Sequence, residues 1–152
     1  MNKKGNVFVV STFFIAGVLV ILLFTVLIFV SEINSLLYNI KLDMYSINKS
    51  AVISVNKGIT SREKFSYDKD TYKEYFIKML KANYKLDDEL KNNNGVIQSV
   101  KVLEYDIRST QKDTTIYSVI EVKVKPIIFS NMLKDLFTFE IHESTALNIL
   151  EI

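Results

Sequence analysis

The chain has no cysteine and no tryptophan, one histidine, one proline and four glycines among its 152 residues. Without cysteine there are no disulfides, thiolate metal sites or thiol nucleophiles, so packing alone must hold the fold together. The few glycines form neither GxGxxG nor GxxxxGK[ST], so nothing suggests a glycine-rich phosphate cradle. Charge of one sign is missing too. With 19 basic and 17 acidic residues interspersed, the net charge of +2 creates no field that would recruit nucleic acid, and that partner is set aside.

From Val7 to Val30 the chain runs 24 residues without a charge, VFVVSTFFIAGVLVILLFTVLIFV. As a helix this spans about 36 Å, more than the ~30 Å hydrocarbon core of a bilayer. A secretory signal has an apolar stretch of about 7–15 residues and a small-residue cleavage site. This run is longer and ends in FVSEI, so we expect a retained transmembrane helix rather than a signal cut at its far end. Lys3 and Lys4 precede the run, and Lys41 and Lys49 follow it at a distance. The short basic lead favours a cytoplasmic N-terminus with the rest of the chain outside. Residues 1–30 are therefore read as basic lead and membrane helix, and 31–152 as one extracytoplasmic domain, about the size of a single core.

Within that domain the period of the apolar residues changes once. In SEINSLLYNIKLDMYSINKSAVISVNKG, Ile33, Leu37, Ile40, Met44, Ile47, Ala51 and Val55 recur every three or four residues, with Asn48 among the intervening polar positions. That spacing predicts an amphipathic helix extending the anchor to about Lys57, where Gly58 can cap it. Its stripe can lie on the domain's own sheet or pack against copies of itself. A second helix is predicted from Thr71 to Leu90, N-capped by Asp70, with Asp87, Asp88 and Glu89 as a solvated run near its end. KNNNG then breaks the helical pattern. Beyond it GVIQSVKVLEYDIRS and TTIYSVIEVKVKP alternate as strands, Ile116, Ser118, Ile120, Val122 and Val124 facing one way. Phe137, Phe139 and Ile141 mark a third strand, and the tail from Thr145 a fourth. The expected class is α+β: two helices on one face of an antiparallel meander of three or four strands.

Catalytic constellations are not visible. His142 falls with Glu140 on the face opposite Ile141 and lacks nearby partners in sequence. Asp68, Asp70 and Glu74 in YDKDTYKE lack the glycine and the closing glutamate of a calcium loop, so capping explains them better. We expect no enzyme, no cofactor and no metal site.

The KKG lead, the single membrane helix running into an amphipathic one, the second helix and the meander together resemble type IV pilin-like proteins. Among these the chain is most similar to the TadE-like pseudopilins of tight-adherence pilus systems. INKSAVISVNKG and KVKPIIFSNMLKDLFTFEIHESTA also carry the likeness, although as pattern rather than motif. The resemblance implies a structural or assembly subunit of a pilus or secretion apparatus, with the bilayer and other pilin-like subunits as partners through the N-terminal helix. It also implies leader cleavage between Gly5 and Asn6. In the family the fifth mature residue is typically glutamate; here that position is Val10, which points to an accessory subunit or an unprocessed one. The alternative is a tethered ligand-binding or sensing module, which would need a pocket between the second helix and the sheet.

Overall fold

The computed structural model describes residues 3–56, 69–109, 113–126 and 137–148, with side chains described for 8–52, 69–108, 115–126 and 137–146. The chain forms two compact units, Met1–Leu36 and Leu37–Ile152. One uninterrupted helix, α1 (Lys3–Asn56), contributes to both.

In the first unit the apolar run is helical and uncovered, with Phe8, Phe13 and Phe14 each more than 70% exposed. Its polar interruptions are neutralised locally. The Ser11 and Thr12 hydroxyls both donate to the Phe8 carbonyl at 2.9 Å, and Thr25 donates to the Ile21 carbonyl at 2.8 Å. Hydroxyls satisfied by their own helix present little unmet polarity, which suits a hydrocarbon surrounding. By length and composition this is a helix able to cross a membrane.

The second unit joins residues 37–56 of α1, helix α2 (Lys69–Tyr84) and three strands, β1 (Ile97–Ser109), β2 (Asp113–Val124) and β3 (Phe137–Asn148). The strands pair antiparallel in the order β1-β2-β3, so the expected α+β meander is the observed fold. Ile116, Ser118, Ile120, Val122 and Val124 are buried as the alternation requires. Against them lie Ile40, Met44, Ile47, Ala51 and Val52 of α1 and Tyr72, Phe76 and Leu80 of α2. The Asn48 amide on α1 donates to Ser118 Oγ at 3.0 Å and to Thr145 Oγ1 at 3.2 Å, bonding the helix to β2 and β3. Sliding the helix along the sheet would strand these buried groups, so the bonds favour one register. On the same inner face of the sheet, Phe76 of α2 meets Tyr105 of β1 with ring centroids 4.9 Å apart.

Three expectations are corrected. The second helix stops at Tyr84, not Leu90: Lys85 turns left-handed (φ 53°) and the Leu86 amide donates to the Lys81 carbonyl at 3.0 Å, the pattern of a Schellman cap with buried Leu86 as its apolar plug. Asp87, Asp88 and Glu89 therefore lie in a turn, where Asp87 Oδ1 accepts from the Glu89 and Lys91 amides at 2.9 and 2.8 Å. Asp70 is inside the first turn of α2, which begins at Lys69, so it serves the helix dipole rather than capping. Finally, Thr145 does not open a fourth strand but continues β3, pairing with Ile116. Gly58, Asp68 and the segment 127–136 lie outside the described residues.

A bulge also separates pattern from structure in β1. The register shifts between Val102 and Glu104, which leaves Leu103 exposed and turns Tyr105 inward with Val100. One extra residue resets the pleat, and strict alternation would have pointed Tyr105 out.

Candidate functional site

The helix stripe singled out by its spacing divides along α1. Ile33 and Leu37 are half-buried, whereas Ile40, Met44, Ile47 and Ala51 are buried in the second unit beneath the chain's own sheet. Val55 lies in the last turn of α1, and Gly5 and Asn6 in its first turns. From Ile40 to Ala51, then, the stripe is the packing seam of one domain, and any contact of this part of the helix with another subunit falls to its remaining faces.

One such face carries a groove. Tyr38, Lys41, Leu42 and Tyr45 are spaced i, i+3, i+4 and i+7, so they share one side of α1, beside the buried stripe. With Glu143 of β3 they line a groove of ≈ 450 Å³. Tyr38, Leu42 and Tyr45 are 65%, 49% and 43% exposed and, with Leu103, are the only exposed large apolar side chains among the described residues of the second unit. An apolar ridge of this kind on an otherwise mixed surface is a candidate contact surface.

Glu143 sits oddly in it. Alternation on β3 turns it to the inner face with Ile141 and Thr145, and it is 8% exposed. Among the described residues it has no ion-pair partner within 4 Å. Burial pushes its carboxyl above the ordinary carboxylate value, and the charge of Lys41 only partly offsets this. Because the folded pKa is raised, the penalty is absent below the unfolded value, grows as pH rises between the two, and is fully present above the folded one. Glu143→Gln is therefore expected to raise the thermal midpoint of the detergent-solubilised protein at pH 7, on the order of a few °C. That gain should vanish on acidification through the carboxylate range; a gain that persists at pH 3 would place its origin in packing rather than charge.

Elsewhere, the outer face of the sheet carries a small polar cluster. His142 accepts from or donates to the Tyr117 hydroxyl through Nδ1 at 2.9 Å, and its Nε2 is 3.0 Å from Glu140 Oε1. Glu140 was visible beside it in sequence; Tyr117 was not, since it comes from the neighbouring strand by a register no local pattern reveals. All three lie on the outer face, with the imidazole half exposed. Among the described residues no group of three His, Asp or Glu side chains is placed to hold a metal. A second, more open hollow of ≈ 540 Å³ lies between α2, the turn after it and the sheet, edged by Lys73, Lys91, Lys101 and Lys123 with Glu89 and Glu121.

No family model, curated protein or solved structure matches the chain.

Proposed function

We propose that this chain is a single-span membrane protein whose α+β domain lies outside the cytoplasm and acts as a pilin-like structural or assembly component of a surface pilus or secretion apparatus. The observation that carries the reading is α1: its first part is uncovered and apolar over more than a membrane's thickness, while its last part is the packing centre of a small α+β domain. One helix thus serves as anchor and as core element. An anchor built this way fixes the domain at the bilayer and leaves lateral association with other single-span subunits as its means of action, with no reaction required of it.

Cross-linking in native membranes followed by mass spectrometry tests this. The expected products join the protein to other single-span subunits of one assembly. A protein recovered only as an uncrosslinked monomer, at cross-linker levels that capture known membrane complexes, would remove the reading. Intact mass of the same material dates the leader question: a chain starting at Asn6 means that a peptidase recognises KKG.

The hollow beside α2 gives some support to the tethered binding module. Its lysines are carried on an open surface and Lys91 is already paired with Glu89, so the assembly reading is preferred.

A further inference from the structure

We propose that the groove lined by Tyr38, Lys41, Leu42, Tyr45 and Glu143 is where a second copy of this chain docks, with Lys41 of each copy paired to Glu143 of the other. The proposal rests on the membrane-anchored reading and names the partner of the anchored domain.

Three observations converge on it. Among the described residues of the domain, three of the four exposed large apolar side chains, Tyr38, Leu42 and Tyr45, line this groove. Glu143 is more than nine-tenths buried, lines the groove, and has no ion-pair partner among the described residues. Lys41 lines the same groove, is exposed, and likewise has no carboxylate within 4 Å among the described residues. A patch holding one unpaired cation and one unpaired anion is self-complementary. Brought against itself by a two-fold axis, each charge meets its opposite, and the Tyr38, Leu42 and Tyr45 ridges cover one another. The groups facing Glu143 from α1 are Lys41 and the phenols of Tyr38 and Tyr45; across β2 its register partner is the uncharged Ser118. Among the described residues lining the groove, no second acid opposes the pairing.

Five lining side chains are a small contact beside the ~1,200 Å² of a stable interface. Anchoring both copies in one bilayer supplies the effective concentration that the contact itself does not. Pairing is therefore a property of the full chain in a membrane.

The test uses two differently tagged full-length copies in one membrane, with recovery of one tag through the other after cross-linking. Lys41→Glu alone sets acids against each other and Glu143→Lys alone sets lysines against each other, so each should lower self-pairing roughly tenfold or more. Mixed together, the two variants meet with opposite charges at both contacts, and recovery should return to the wild-type level. A mixture no better than either variant alone overturns the proposal, because a bond within one chain cannot be rescued by mixing. Leu42→Arg, at a position already 49% exposed, leaves the core intact and should also abolish pairing; wild-type recovery in that variant overturns it even if Glu143→Lys fails to fold. The membrane and soluble fractions report separately on the anchor. Soluble protein sinks the anchored reading, whereas membrane-bound protein that ignores the charge exchange sinks only the pairing.

Discussion

Leu19→Arg combined with Leu22→Arg should move the protein out of the membrane fraction. Each substitution exchanges a residue that favours the bilayer centre for one that opposes it, at about 3 kcal/mol apiece, so the pair removes about 6 kcal/mol of insertion free energy. Both positions lie in the uncovered part of α1, at 61% and 56% exposure, and belong to the first unit. Loss of the anchor should therefore leave the second unit folded. Leu19→Ala with Leu22→Ala is the control, since it shortens the side chains without adding charge, and it should stay in the membrane after an alkaline wash. If the arginine pair also stays, the helix is held by protein contacts rather than lipid.

The second large effect belongs to the core. Phe76→Ala should destabilise the domain by about 3–5 kcal/mol, because the ring is fully buried and its loss leaves a cavity that α2, already tied to β1, cannot collapse to fill. For a domain of this size the midpoint should fall by more than about 10 °C. The ring it packs against supplies a contrasting control. Tyr105 is 4% exposed and its hydroxyl has no hydrogen-bond partner among the described residues, while burial, with a smaller contribution from Tyr72, pushes the phenol well above its usual range. Tyr105→Phe deletes only that stranded hydroxyl and should leave stability within about 1 kcal/mol of wild type or raise it. Thermal unfolding of the two variants, read by circular dichroism in the same detergent, should separate them clearly. Equal losses would mean that the Tyr105 hydroxyl is satisfied and the hydrophobic account of this corner is wrong.

The helix stripe, the second helix and the alternation of β2 could be read directly, since each depends on neighbours within one element. Ile40, Met44 and Ile47 announce themselves by spacing, and Ile116 to Val124 by period. What escaped depends on other elements or on backbone conformation. Asn48 looks like an ordinary polar-face residue until β2 and β3 bring Ser118 and Thr145 to its amide. The end of α2 is set by a left-handed Lys85, a conformation usually signalled by glycine or asparagine. The bulge at Leu103 leaves no mark in composition. The candidate site was least legible of all: the spacing of Tyr38, Leu42 and Tyr45 is visible on α1, but Glu143 joins them from about 100 residues away. The stripe from Ile33 to Val55 could lie on the chain's own sheet or also meet other copies, and from Ile40 to Ala51 the chain's own sheet occupies it.

The absence of native cysteine makes the central claim, a domain anchored outside the cytoplasm, testable in one labelling measurement. Ser144→Cys places a single thiol at an exposed position of β3, across from Tyr117 on the outer face of the sheet. In intact cells a membrane-impermeant maleimide should label this variant as fully as it does after permeabilisation. Labelling that appears only once the membrane is opened would put the domain in the cytoplasm and contradict the account.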